Sequence, residues 1–589
     1  MITPPARVRG SVVLVSIAVT LSITQPVAAQ VKQPTATGTG GAIATVEVLA
    51  SEAGLEVLQA GGNAVDAAVA AAAVLGVTEP FSAGIGGGGF MVIRTADGLV
   101  TTIDHRETAP AAMHPESFFE GGAPLPFTAA RYSGLSAGVP GTVRGWDDAL
   151  AEYGTMSLAE VLEPAIEVAS EGFTVDQVFH DQVQGNVDFF DDITSSQGLY
   201  LDPDGTPPDV GTTFTNPDMA RAYERIAHLG PKGFYRGAIA DAMVEAVQNP
   251  PVDDDANHVW RPGVMTMRDV MRYRAPEREP TLVSYRGLDV YGMGPPSSGG
   301  STVGEALNIL EGWNLGALPT EQALHYFLEA SKFSFADRNA YLGDSDFVDV
   351  PLQGLLSQAF ADERRALIEE TAALAPVPPG DPWPHNGGGS SSAVAGKGTG
   401  GETTTHLTVS DRWGTVVSYT YTIESTGGNG IVVPGWGFLL NNELTDFNFD
   451  SATHPNRVEG RKRPRSSMSP TIVLEGGEPV LAVGSPGGSM IITTVLQILV
   501  NYFDFGMTLP DAIAAPRASQ RNTANVFAES GFISTHGGAL GARGHTFTTV
   551  AEIGAATGIA FLDGGVVQAA AEPTRRGGGS AMVEHLVAP

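Results

Sequence analysis

Gly401-Glu402-Thr403-Thr404-Thr405-His406-Leu407-Thr408-Val409-Ser410 is where the character of the chain changes. Upstream lies 375–402, built from Pro-Pro-Gly, Asn-Gly-Gly-Gly-Ser-Ser-Ser and Gly-Lys-Gly-Thr-Gly-Gly, a composition that predicts a flexible segment without a core. Downstream, period-2 alternation begins. Thr405, Leu407 and Val409 share one face, and Val417, Tyr419, Tyr421 and Ile423 repeat the pattern after a turn at Asp411-Arg412-Trp413-Gly414. Three threonines at a strand start are, taken alone, β-propensity. The same place suits another chemistry. A chain that cut itself before Thr404 would expose a residue carrying a hydroxyl and an α-amine together, the amine acting as base for its own hydroxyl. A loose segment ahead of the cut lets the severed end leave.

Outward from that junction the two sides differ. Apolar residues at helical spacing predict helices over Val46–Gln59, Ala64–Leu75, 157–171, 216–248, 301–313 and 320–342, with a strand at Phe90–Arg94 after four glycines at 86–89. Further strands are expected at Phe438–Leu440, Thr471–Leu474 and Pro479–Val483. A helix-rich part thus precedes a sheet-rich part. Residues 31–41 read as a mobile lead-in. Before them, Arg7 and Arg9, the apolar run Ser11–Ile23 and Pro26-Val27-Ala28-Ala29 form the three-part pattern of a signal peptide over 1–29, cut before Gln30. The run is too short to span a bilayer, so an exported protein, periplasmic or secreted, without a membrane anchor is expected.

Composition narrows the chemistry. The 589 residues hold 33 basic and 65 acidic side chains, a net charge of −32, which argues against a nucleic-acid partner. From Thr404 onward there are 15 acids and 11 bases, so most of the acidity lies in the helix-rich part. With no cysteine, thiol nucleophiles, thiolate zinc sites and disulfide scaffolds are excluded. Hydrophobic residues, at 42%, suffice for a large core, and 73 Gly with 40 Pro imply many tight turns. No His-Glu-x-x-His, phosphate-loop or Gly-x-Ser-x-Gly pattern occurs, so neither a metal nor another cofactor is expected.

Read together, the neighbouring blocks resemble the γ-glutamyltranspeptidase family over nearly the whole chain. They are Gly61–Ala68, Gly86–Phe90, Asp104-His105-Arg106-Glu107, Pro295–Gly300, Thr404-Thr405-His406, Ser466-Ser467-Met468-Ser469-Pro470 and Gly484–Ser489, in family order. The resemblance implies a precursor cut between Thr403 and Thr404 into a heavy chain, 30–403, and a light chain, 404–589. It also implies the four-layer αββα N-terminal-nucleophile sandwich, an α+β fold shared by both chains. Thr404 matches the nucleophile, Thr422 its hydrogen-bonding neighbour, and Gly487 and Gly488 the oxyanion pair. Arg106 matches the clamp for the substrate α-carboxylate, Ser466 and Ser467 the hydroxyl donors to it, and Glu443 and Asp446 the acceptors for the α-ammonium. Glu424 stands where the family usually has Asn.

The implied activity is γ-glutamyl transfer from donors such as glutathione to water or amino-acid acceptors. The segment between Asp446 and Ser466 lacks Tyr and carries Arg457, Arg461, Lys462, Arg463 and Arg465. It reads as a solvated charge run or as an open basic cleft for poly-γ-glutamate. A glutaryl- or cephalosporin-type acylase of the same superfamily is the other enzymatic alternative. Retention of the matched residues speaks against a non-catalytic binding protein.

Overall fold

The computed structural model describes residues 1, 31–387 and 403–585, so 2–30, which hold all of the leader but Met1, 388–402 and 586–589 lie outside the described residues. Two seven-stranded sheets organise the fold. Their strands, in chain order, are β1 (Thr35–Gly38), β2 (Ala42–Thr45), β3 (Gly88–Arg94), β4 (Val100–Asp104), β5 (Glu277–Arg278), β6 (Thr281–Tyr285), β7 (Leu288–Gly292), β8 (Thr405–Ser410), β9 (Val416–Thr422), β10 (Thr471–Glu475), β11 (Glu478–Gly484), β12 (Thr557–Leu562), β13 (Val566–Ala571) and β14 (Ser580–Val583). The first sheet runs β14-β2-β8-β9-β3-β4-β5 and the second β1-β13-β12-β11-β10-β7-β6. Each mixes strands from before and after Thr404, so the two sides of the proposed cut share one core. All the pairings in these two sheets are antiparallel; within the first, β8 and β9 form a hairpin that places Thr405 opposite Tyr421.

Helices cover both outer faces. On the first sheet, α1 (Val48–Gln59), α2 (Ala64–Thr78), α3 (Leu158–Glu171), α4 (Pro217–Leu229) and α5 (Ala238–Gln248) pack against Met91, Ile93, Leu407, Val409, Val417, Tyr419 and Tyr421. Behind the second sheet, α6 (Gly299–Leu310), α7 (Thr320–Tyr341) and α8 (Met490–Phe503) join a cluster that also takes Phe90, Val92 and Val416. Four layers, αββα, result. Because strand side chains alternate, the residues opposite to Leu407, Val409 and Tyr419 face the other sheet. Ser418 Oγ donates to the Val483 carbonyl at 3.2 Å, and Thr408 Oγ1 to the Thr557 carbonyl at 3.4 Å. That parity turns the side chains of Thr404, His406, Thr420 and Thr422 into the space between the sheets.

The Gly61–Ala68 block is a helix start. Asn63 and Asp66 form a capping box on α2, and Asp66 also accepts from the Thr155 and Met156 backbones, tying α2 to the α3 approach. Small residues let α2 sit buried over its whole length.

Several expectations are corrected. Residues 31–41 are not a loose lead-in: β1 pairs with β13, Thr35 opposite Ala570. The 216–248 helix is broken at Gly230-Pro231 and Gly237 into α4, a short turn of helix at Pro231–Tyr235, and α5. Phe438–Leu440 is no strand; Leu439 makes an isolated bridge to Val432. Within the segment expected to lack a core, 375–387 is docked: Val377 and Trp383 are buried, Val377 N–H donates to Asn522 Oδ1 at 2.7 Å, and Tyr341 O–H to the Gly380 carbonyl at 2.7 Å.

Candidate active site

Thr404 opens the β8–β9 hairpin and is 4% exposed. Its hydroxyl touches the Thr403 carbonyl oxygen and lies 3.2 Å from Thr422 Oγ1, which itself accepts from Glu424 N–H at 2.8 Å. Both sides of the Thr403–Thr404 bond are held. Thr403 Oγ1 donates to the Glu424 carbonyl at 2.9 Å, and Arg576 Nη1 donates to the Thr404 carbonyl at 2.7 Å. Next to this bond, the glycine run earns its composition by close approach. A Cβ on Gly87 would come within 1.9 Å of the Thr422 carbonyl oxygen, and one on Gly86 equally close to that of Leu439.

Gly487 and Gly488 follow β11 and lead into α8, with φ of +128° and +56°. Among the described residues neither N–H finds a protein acceptor, which leaves two donors at a helix start beside Thr404. Gly484, ahead of them, carries no Cβ because the His406 imidazole fills that space, 2.3 Å from where a Cβ would be.

The remaining residues named from the sequence converge. Arg106, Thr403, Thr404, Thr422, Glu424, Glu443, Asp446, Ser466, Ser467 and Gly488 line one cavity. Gly487 faces a neighbouring space that also reaches Thr403. Arg106, at the end of β4, is anchored through Nε to the Pro464 carbonyl at 3.2 Å. Its Nη1 pairs with Glu443 and its Nη2 with Asp446 at 2.6 Å, while Glu107 stands at 4.0 Å. The expected carboxylate clamp and the expected ammonium acceptors are therefore bonded to one another. Burial works against the Arg106 charge, but Glu443, Asp446 and Glu107 outweigh it and hold its pKa above the ordinary value.

Acids outnumber that cation. Glu443 is driven well above the ordinary carboxylate range by burial, in spite of Arg106, and Asp446 moves the same way. Glu424 is pushed up to about 7 by burial and then by the Asp446 charge. It sits at φ +81°, a left-handed conformation that costs a non-glycine residue about 1 kcal/mol. One of its oxygens accepts from Ser425 Oγ and Asn442 Nδ2. The other is buried without a hydrogen-bond donor, while the Glu443 carboxyl shares hydrogen bonds with those of Asp446 and Glu107. One open acceptor on Glu424 and an excess of acid over cation thus border the cavity.

Residues not singled out from the sequence complete the surroundings. Ser298, in the Pro295–Gly300 block, donates through Oγ to the Ser466 carbonyl at 2.6 Å, and Ser297 Oγ to that of Met468 at 2.6 Å. Arg338 on α7 donates to Ser467 Oγ at 2.6 Å. Arg576 had a signal, the Arg575-Arg576-Gly577 sequence at the end of the family-like region; Arg338 had none. Elsewhere His325, Glu329 and His545 gather with ligand atoms within 4.8 Å, but His325 Nδ1 is bonded to His545 Nε2 at 2.8 Å and Glu329 to Lys332 at 2.5 Å.

The basic segment after Asp446 is corrected. Arg461 is exposed, but Lys462, Arg463 and Arg465 are buried. Lys462 Nζ donates to the Pro455 carbonyl at 2.5 Å, Arg463 pairs with Asp104 at 3.3 Å, and Arg465 donates to the Arg338 and Leu342 carbonyls. Neither a solvated loop nor a basic open cleft describes it.

The sequence profile of the family described as Gamma-glutamyltranspeptidase matches residues 50–582. The chain is 38% identical over 558 residues to the glutathione hydrolase proenzyme of Bacillus subtilis (strain 168), covering 92% of this chain and 91% of that one. It is 37% identical over 562 residues to the Acylase ACY 1 proenzyme of Pseudomonas sp. (strain SE83), covering 92% and 93%. Among solved structures it superposes on the cephalosporin acylase from Bacillus halodurans with a TM-score of 0.83 at 28% identity, over 95% of this chain and 98% of that one.

Proposed function

The chain belongs to the γ-glutamyltranspeptidase family, and from that membership and the pocket at Thr404 we propose that it is a self-processing enzyme cleaving γ-glutamyl amides such as glutathione. In the precursor, Thr404 Oγ1 attacks the Thr403 carbonyl carbon; the peptide C–N bond breaks, an ester forms, and water hydrolyses it. Thr404 then carries a free α-amine, which takes the proton from its own hydroxyl as that oxygen attacks the γ-carbonyl of a donor. The donor's amine leaves with a proton, and water or an amino acceptor releases the γ-glutamyl group from its Thr404 ester. Thr422 orders the hydroxyl, and the N–H groups of Gly487 and Gly488 stabilise the oxyanion.

The observation that carries the γ-glutamyl reading is the excess of buried carboxyls at the pocket, Glu424, Glu443 and Asp446 against the one cation Arg106, with one Glu424 oxygen left without a donor. Buried acceptors without donors are costly, and an α-ammonium supplies three N–H donors and a compensating charge. A glutaryl side chain, which has a carboxylate but no amine, would leave them unpaired. The acylase alternative is favoured by two facts, the 37% identity to Acylase ACY 1, nearly as high as to the glutathione hydrolase, and the TM-score of 0.83 to the cephalosporin acylase from Bacillus halodurans. Steady-state turnover of γ-glutamyl and glutaryl anilides separates the two readings. The γ-glutamyl donor is expected to be preferred, and a preference for the glutaryl donor would reverse the assignment.

Processing has its own test. Edman sequencing of the smaller fragment should begin at Thr404, and Thr404→Ala should remain one uncut, inactive chain; a fragment starting elsewhere removes the mechanism. We further propose export, on the leader at 1–29, which apart from Met1 lies outside the described residues. Among the described residues no helix is long and apolar enough to cross a membrane.

A further inference from the structure

The charges around the pocket are unevenly distributed. Arg106, matched to the substrate α-carboxylate, already has Glu443 and Asp446 bonded to it. Two other guanidinium groups stand behind Ser466 and Ser467. Arg338 is 1% exposed and Arg465 4%. Among the described residues no carboxylate lies within ion-pair distance of either, and the acid whose charge reaches both, Asp446, is taken by Arg106. A buried cation without a counter-ion is expensive, and an incoming anion would supply one.

The hydrogen bonds give that potential a direction. Arg338 Nη2 donates to Ser467 Oγ at 2.6 Å, Nε to Ser298 Oγ at 2.8 Å and Nη1 to Asn339 Oδ1 at 2.9 Å. Ser298 Oγ in turn donates a hydrogen bond to the Ser466 carbonyl at 2.6 Å. One guanidinium therefore sets both residues of the serine pair. Since Ser467 Oγ is used as an acceptor by Arg338, and Ser466 Oγ by Met468 N–H at 3.1 Å, each hydroxyl keeps its proton to give. Among the described residues neither hydroxyl donates to a protein acceptor, and both side chains line the cavity.

We infer that Arg338 is a positioning residue for the substrate's α-carboxylate: it aims the Ser467 proton into the pocket and, with Arg465, supplies the positive charge that this carboxylate balances. The inference rests on the γ-glutamyl reading and adds a specificity determinant to it. Arg106 then ties the acidic, ammonium-binding side of the pocket to the carboxylate side. Arg338 touches neither substrate nor nucleophile and acts through Ser467.

The test uses the mature enzyme with two anilide donors, γ-glutamyl and 4-aminobutyryl, which differ only by the α-carboxylate. In Arg338→Gln the ratio of their kcat/KM values is expected to fall about tenfold or more, through the KM of the γ-glutamyl donor, with Arg338→Lys recovering part of the loss. The 4-aminobutyryl donor should change little, since it has no group for the serine pair to bind. A general structural role would depress both donors alike, and an unchanged ratio in the variants overturns the inference. If Arg338→Gln does not mature, Arg338→Lys decides on the same ratio. A wild type that turns over the glutaryl donor but not the γ-glutamyl one fails the underlying reading instead, and this inference falls with it.

Discussion

Replacing Glu424 with Asn isolates one proton in the candidate site. Glu424 is 3% exposed, faces Asp446, and is raised to about 7 by burial and that neighbouring charge. If its carboxylate accepts from the substrate ammonium, only the ionised form binds well. At a pKa of about 7, roughly 3% is ionised at pH 5.5 and about 90% at pH 8, so kcat/KM for a γ-glutamyl donor should rise about thirtyfold across that interval. The α-amine of Thr404, ordinarily near 7.7–8.0, titrates in the same direction and would add its own limb. A glutaryl anilide cancels that limb, because it needs the Thr404 amine but offers no ammonium to Glu424. The quantity to plot is therefore the ratio of kcat/KM for the two donors against pH. It should climb through about pH 7 in the wild type and climb less in Glu424→Asn, where only Glu443 and Asp446 still titrate against the ammonium. Asn tolerates positive φ better than Glu, so the substitution does not strain the +81° backbone further. A flat wild-type ratio, or an equal climb in the variant, refutes the role. Stability supplies an independent sign. With its folded pKa above the ordinary 4.5, Glu424 holds a proton that the unfolded chain has released, so its contribution falls as pH rises from about 4.5 to 7. Glu424→Gln should remove that decline in urea titrations.

Thr422→Val deletes the hydroxyl 3.2 Å from Thr404 Oγ1 and leaves Glu424 N–H without its acceptor; maturation followed on gels and kcat should both fall about tenfold or more. Arg576→Met removes the donors to the Thr404 carbonyl and to Ser82 Oγ, each at 2.7 Å, and should slow the appearance of the Thr404 fragment by mass spectrometry. Unchanged maturation would show that the neighbouring strands alone hold the bond. In the basic segment, Arg461→Ala at an exposed position should leave stability and donor preference alone, whereas Arg463→Ala breaks a buried pair with Asp104, which keeps Arg278, and should cost about 1–2 kcal/mol in urea unfolding. Equal effects of the two would contradict the burial of Arg463.

What could be read from the sequence followed from short-range physics. Alternation in β8 and β9 marks which residues share a face, and Thr404, His406, Thr420 and Thr422 fall on the opposite one from Leu407 and Tyr419. With the hairpin register, that sets Thr404 beside Thr422 before any tertiary contact is known. The glycine runs were informative for the same reason, since a position where a Cβ would meet a backbone at 1.9 Å admits little else. Where the reading failed, the deciding partner was distant in sequence. Residues 31–38 look structureless until β13, more than 500 positions later, offers an edge. Trp383 is the apolar anchor in an otherwise breaker-rich stretch, and its burial depends on a site formed by other elements. The run Arg461–Arg465 misled because clustered charge signals solvation only when the charges have no other partners. Here Asp104 at the end of β4 and the carbonyls of Pro455, Arg338 and Leu342 take them, and no local pattern encodes any of those meetings. The same logic hides Arg338. On α7 it is one more buried residue in a helix, and only the approach of Ser467, 129 positions away, turns its guanidinium toward the candidate pocket. Residues matched to substrate-binding positions lay in short motifs, whereas the charge proposed to orient them reaches the site only through the packing of α7 beneath the serine pair.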